Sequence, residues 1–223
     1  MKWALINLIG IFLSALSWGW SFSNKYSPTI QLILAVSFTL LLIPIFLFAR
    51  WMLDIQPTLE QAHLVTNAVH YCVIIFLGSA IIFAARFSET DFSIPLLISP
   101  VFGLGIMFIS SILLVLIVLN LALKGLGAPI AIALTRHIAI EWFYAWSRNP
   151  MILSALILLI GFGLWRQSGL FTAWVIVVVT PVVFVFIRIF EERELEIRFG
   201  KSYLEYRDKT PVLIPRKPKQ PGE

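Results

Sequence analysis

The 223 residues contain a single cysteine, Cys72, and only three histidines, His63, His70 and His137. One thiol excludes an internal disulfide and any cysteine-built metal centre. The histidines have no carboxylate at ligand spacing, so no metal site is expected; Cys72 and His70 are read as packed residues of a helix, His70 with a partner in the interior. No P-loop, dinucleotide fingerprint or Ser-His-Asp order is present, which leaves the common nucleotide-dependent and hydrolase chemistries without a motif. Charge is also scarce. Only 13% of the residues are Asp, Glu, Lys or Arg, about half of what soluble domains carry.

The charges that do occur are segregated. Residues 3–24, 26–49, 61–85, 92–123, 149–165 and 167–187 contain none, and 59% of the chain is hydrophobic. About 20 apolar residues cross the hydrocarbon core as a helix, and a helix satisfies its own backbone in lipid. The runs are continuous, unlike the alternation of a membrane barrel. The expected fold is therefore all-α and polytopic, with six membrane helices over about 3–22, 28–53, 63–85, 94–123, 151–165 and 170–190. Pro44 is expected to kink the second, Pro95 and Pro100 to mark the start of the fourth, and Pro181 to bend the sixth. The fifth is too short for the core, so the last two form a short hairpin. The first run exceeds a usual signal-peptide h-region and lacks a small-x-small end, so it is read as a retained helix.

Thirteen Lys and Arg fall on one side of this topology and three, Lys25, Arg86 and Arg166, on the other. This predicts cytoplasmic N- and C-termini. The same basic cluster accounts for the net charge of +5 and attracts anionic membrane lipid; nucleic acid is not implied. With no retention signal read at its C-terminus, the chain is expected in a bacterial inner membrane. Three regions follow: 1–123 with the first four helices, 124–216 with all the unusual polar residues, and a flexible tail at 217–223.

The polar features of the second region can each be read locally. Gly125 and Gly127, before Pro129, end a helix, though two glycines also allow close approach to a ligand. Residues 130–147 mix Arg136, His137 and Glu141 with Trp142, Tyr144 and Trp146, which suits an interfacial or re-entrant segment. Asn149 and Pro150 have the character of a cap and first turn. Arg188, Glu191 and Glu192 lie on one helix face, where an ion pair and a binding site are equally consistent with the spacing. Gly200 suits a helix stop, Ser202 and Glu205 have capping-box spacing, and Tyr203 and Tyr206 share a face that packs back on the hairpin.

Taken in order, Gly125-Leu126-Gly127-Ala128-Pro129, Tyr144, Arg148-Asn149-Pro150-Met151, Glu191-Glu192, Leu195, Phe199-Gly200, Tyr203, Tyr206, Pro211 and Ile214-Pro215-Arg216 resemble the isoprenylcysteine carboxyl methyltransferase and phospholipid methyltransferase family, integral-membrane enzymes that use S-adenosylmethionine. The resemblance covers residues 124–216. It implies a methyl transfer from S-adenosylmethionine to a lipid or lipophilic small molecule. By the same resemblance the cofactor contacts are Gly125, Gly127, Pro129, His137, Tyr144, Arg148, Asn149, Pro150, Arg188, Glu191, Glu192, Tyr203 and Tyr206, with Arg148, Asn149 and Glu192 at the reacting centre. The chain departs from the family pattern in three places. Glu141-Trp142-Phe143 stands where a glycine is usual, Ile152 replaces a tyrosine, and Val212 replaces an arginine. A sterol-reductase-like enzyme with a nicotinamide cofactor, and a non-catalytic scaffold or transporter subunit, are the alternative expectations.

Overall fold

The computed structural model describes residues 2–86, 98–123 and 140–217. These residues form an all-α, polytopic membrane fold. The helices are α1 Lys2–Ser23, α2 Pro28–Leu40, α3 Leu42–Ile55, α4 Leu59–Ala85, α5 Pro100–Leu123, the single turn α6 Phe143–Trp146, α7 Pro150–Trp165, α8 Gly169–Phe199 and α9 Lys201–Lys209. Five stretches are long and apolar enough to cross a membrane: α1, α2 with α3, α4, α5 and α8. At 16 residues, α7 reaches roughly 24 Å, less than the ~30 Å hydrocarbon core. The expected short hairpin is thus asymmetric, a short α7 against a long α8. Large apolar side chains such as Leu8, Phe12, Val101 and Phe108 remain exposed on α1 and α5, the faces a bilayer would cover.

Proline places the breaks. Pro44 has no N–H and its ring crowds the carbonyl four residues earlier, that of Leu40. The second span is interrupted only at Leu41, which keeps helical dihedrals (φ −60°, ψ −19°) and donates its amide to the Ser37 carbonyl; the expected kink falls there, three residues ahead of the proline. In α8, Pro181 follows a π-helical stretch, Val175–Val179. There the Thr180 amide and its hydroxyl, at 2.9 Å, both turn to the Val175 carbonyl. A second π stretch, Phe186–Glu191, ends as Glu192 donates its amide to the Ile187 carbonyl. Such stretches widen the helix and loosen its carbonyls. The Ile189 carbonyl accepts a hydrogen bond from the Arg50 guanidinium of α3 at 3.2 Å.

One expected boundary moves. Helix α4 begins at Leu59 rather than near 63, because the Thr58 hydroxyl accepts from the Gln61 amide and caps it. Helix α9 follows Gly200 as expected, but Ser202 donates to the Phe199 carbonyl instead of forming a capping box with Glu205. Residues 94–97, assigned to the fourth helix from the sequence, lie outside the described residues.

Glycines set the tightest packing. A Cβ on Gly103 of α5 would fall 2.3 Å from the Trp165 amide nitrogen of α7, and one on Gly161 of α7 would fall 2.9 Å from Ile106 of α5. A Cβ on Gly10 of α1 would enter the Tyr71 ring of α4. This close approach of backbones is how helices associate where no water drives them together. Around α8 the core has two clusters. One joins Ala35, Phe83, Phe171, Trp174 and Val175; the other joins Phe46, Leu53, Val65, Val69, Val182 and Phe190. Half-buried Cys72 packs against the second, as expected. Helices α2, α3 and α4 thereby hold α8 along its length and fix the end that carries Glu191 and Glu192.

Candidate functional site

Arg148 is the centre of the polar region. It sits just ahead of α7, and its backbone amide donates to the Pro211 carbonyl at 2.9 Å. Its guanidinium is buried, 6% exposed, and meets Glu192 of α8 at 3.1 Å. A second guanidinium nitrogen donates to the Tyr203 hydroxyl of α9 at 3.1 Å. One side chain thus ties together the three pieces the sequence singled out: the 148–150 break, the paired glutamates and the tyrosine helix. Its Nε–H is buried with no hydrogen-bond partner among the described residues.

Glu192 also accepts from Arg188, one turn back in α8, at 3.2 Å. Arg188 is half exposed and lies over the Phe184 ring, so its contribution is screened. The local spacing therefore gives an ion pair, Arg188 with Glu192. It does not give the whole of Glu192's surroundings, because the better-buried cation comes from 44 residues earlier. Glu191 lies in the field of Arg148 and beside Glu192 and Glu194, yet forms no ion pair among the described residues.

The C-terminal segment is strapped over the start of α7. Ser147 donates to the Leu213 carbonyl at 2.9 Å, Asn149 donates its side-chain amide to the Val212 carbonyl at 3.1 Å, and the Arg216 amide donates to the Trp146 carbonyl at 3.0 Å. Asn149 stands at the N-cap position of α7 as expected, but its side chain makes no cap bond there. It is spent on the strap instead. Pro150 occupies the first turn of α7 and is buried. Tyr206 donates to the Tyr144 carbonyl at 2.7 Å, so both α9 tyrosines do pack back on the hairpin entrance. Burial raises the phenols of Tyr144, Tyr203 and Tyr206 above the ordinary tyrosine range; the nearby Arg148 partly opposes this at Tyr203 and Tyr206. All three are neutral hydrogen-bonding groups here.

Helix α9 is aimed by Gly200, whose φ of 54° and ψ of −130° need a residue without a Cβ. Trp142 adopts nearly the same backbone, φ 56° and ψ −121°, directly ahead of α6. This is the place where the sequence departs from the glycine of the resembled family. An exposed tryptophan in that conformation is strained, by about 1–3 kcal/mol.

Several contacts were not anticipated from the sequence. Arg50 of α3 pairs with Asp54 at 2.7 Å, and Asp54 pairs with Arg193 of α8 at 2.8 Å. Arg193 and Arg207 both reach Glu196, linking α8 to α9. Glu194 and Arg198 form a buried pair at 2.7 Å, with side chains 4% and 6% exposed. Their i, i+4 spacing was the available signal. The partners on α3 had none beyond the position of Arg50 at the end of an apolar run. Gly125, Gly127, Pro129 and His137 lie outside the described residues.

Residues 98–202 match the model of the phospholipid methyltransferase family. The matched region is somewhat less than half of the chain, and it bears out the resemblance drawn from Tyr144, Arg148-Asn149-Pro150 and Glu191-Glu192. No curated protein and no solved structure matches the chain. The protein is an integral-membrane protein whose residues 98–202 are similar to phospholipid methyltransferases.

Proposed function

We infer that the protein transfers a methyl group from S-adenosylmethionine to a lipid or lipophilic acceptor that reaches the site from the bilayer. One observation carries the cofactor assignment. The buried Arg148 Nε–H lacks a partner and the neighbouring Glu191 carboxylate lacks an ion-pair partner among the described residues. A free N–H on a guanidinium, and a carboxylate in its field without an ion pair, fit the carboxylate and ammonium of an amino-acid zwitterion. S-adenosylmethionine carries such a zwitterion, and its sulfonium supplies an activated methyl group.

In this reading Arg148 holds the carboxylate and Glu191 the ammonium or a ribose hydroxyl. Glu192 neutralises Arg148 and keeps its guanidinium plane fixed. Tyr203 holds the same guanidinium from the other side. Asn149 and Ser147 keep the strap at 211–216 closed over the hairpin, which excludes water and helps align the acceptor with the methyl group. The neutral tyrosines add hydrogen bonds without adding charge. Gly125, Gly127, Pro129 and His137 remain assigned to the cofactor by resemblance. In this reading the membrane is a bacterial inner membrane, and the charge asymmetry supports cytoplasmic termini.

The test is incorporation of tritium from methyl-labelled S-adenosylmethionine into the organic extract of membranes containing the protein. Label above that of vector membranes, lost in Arg148→Met, is the expected result. No label, together with a thermal shift of the purified protein by NADPH but not by S-adenosylmethionine, would replace this reading with the reductase one.

A further inference from the structure

Helix α4 carries a row of polar residues through an otherwise apolar membrane span: His63, Thr66, Asn67 and His70. Their i, i+3, i+4, i+7 spacing puts all four on one face. Polar side chains at membrane depth are rare and mark functional sites by default. Thr66 is 3% and Asn67 6% exposed. Within this row Thr66 Oγ1, Asn67 Oδ1 and His70 Nδ1 are all buried without a hydrogen-bond partner among the described residues. Three orphaned atoms on consecutive turns of one helix are unusual, since buried polar groups are nearly always paired. The expected interior partner for His70 is missing at this atom.

The row faces α8. The Arg198 guanidinium lies within electrostatic reach of both His63 and His70. The Thr66 hydroxyl lies against the Glu194 carboxylate, though no group meets hydrogen-bond geometry with its Oγ1. Glu191, Glu194 and Arg198 in turn share one face of α8, at i, i+3 and i+7, and Glu191 lies in the field of Glu194. Thr66 therefore faces a carboxylate one helical turn from the one assigned to the methyl donor.

We propose that His63, Thr66, Asn67 and His70 form a subsite for the head group of a lipid, and that the head group is uncharged and rich in hydroxyl or amide hydrogens. On the methyltransferase reading, this lipid is the acceptor. The charge argument is direct. The two charges facing the row, Glu194 and Arg198, already pair with each other at 2.7 Å. An anionic head would be set against Glu194, and a cationic one against Arg198. The unpartnered atoms are all neutral. Asn67 Oδ1 only accepts, so the ligand must bring a hydrogen; Thr66 and His70 can give or take one. The subsite lies in helices outside the matched 98–202 region, so specificity for the head group resides in the part of the chain that carries no family motif.

The experiment uses the full-length protein in detergent micelles and three probes with one acyl chain: 1-monooleoylglycerol, oleylamine and oleyl phosphate. Binding is read by displacement of tritiated 1-monooleoylglycerol, and S-adenosylmethionine binding is read in parallel by calorimetry. The wild type is expected to bind monooleoylglycerol saturably and in preference to the two charged probes. Thr66→Val and Asn67→Leu, which keep shape but remove the orphaned atoms, should weaken it at least tenfold while leaving S-adenosylmethionine binding unchanged. Asn67→Leu should also unfold at higher temperature, because an unpaired buried polar group is gone. A subsite is contradicted if monooleoylglycerol binds equally well to wild type and both variants, or if oleyl phosphate or oleylamine binds tighter. Lipid binding that follows the prediction in a protein that does not bind S-adenosylmethionine would uphold the subsite and overturn the methyltransferase reading alone.

Discussion

Breaking the Arg148–Glu192 pair from either side should be far more damaging than removing it whole. Both side chains are buried, 6% and 11% exposed, and they meet at 3.1 Å. Removing one member of such a pair costs about 3–5 kcal/mol, because the survivor is left as an uncompensated buried charge. Glu192 keeps a contact with half-exposed Arg188, and Arg148 keeps Tyr203, so Arg148→Met and Glu192→Met should each lie near ~3 kcal/mol, the low end of that range. The double variant Arg148→Met/Glu192→Met leaves neither charge. It should be more stable than either single variant, with a coupling energy of at least ~2 kcal/mol. Arg188→Ala should change stability by about 0–1 kcal/mol. Equilibrium unfolding in mixed micelles, with increasing SDS fraction and no cofactor present, gives all four numbers. Additive single effects, or an Arg188→Ala effect as large as Arg148→Met, would refute the assignment of Arg148 as the principal partner of Glu192.

Trp142→Gly should raise stability by roughly 1 kcal/mol, because the backbone there suits a residue without a Cβ; a lower unfolding midpoint in the same assay would show that the exposed indole contributes more than the strain removes. Gly103→Ala should separate α5 from α7, since its Cβ would fall 2.3 Å from a backbone nitrogen, and destabilise the protein by about 1–3 kcal/mol; an unchanged midpoint contradicts the packing. Tyr144, Tyr203 and Tyr206 have raised folded-state pKa values. They favour folding fully below the pKa of unfolded tyrosine, about 10, and this contribution is lost as pH rises beyond it. Absorbance at the tyrosinate band should show these three titrating only above the ordinary tyrosine range; ionisation of all tyrosines together would contradict their burial.

Much of the architecture was legible because membrane helices are written in long uncharged runs. The run at 3–24 became α1, and 149–165 became α7 almost to the residue. A boundary moved where one polar atom outweighed the pattern: the Thr58 cap lengthened α4. The π stretches of α8 leave no mark in composition; only Pro181 hinted at the first. At the site, residue types and order exposed Arg148, Glu192, Tyr203 and Tyr206, but not who holds whom. Arg188 looked like the natural partner of the glutamates because it is near in sequence, while the buried partner, Arg148, is near only in the fold. The α4 row was invisible for a related reason. Thr66 and Asn67 are ordinary helix residues until burial shows that nothing satisfies them.

The most direct test of the proposed function is calorimetric titration of the purified protein with S-adenosylmethionine, for wild type, Glu191→Gln and Glu192→Gln. Saturable binding by the wild type, weakened at least tenfold (about 1.4 kcal/mol) in each variant, is the predicted result. No binding by the wild type, or equal affinity in all three proteins, would contradict it.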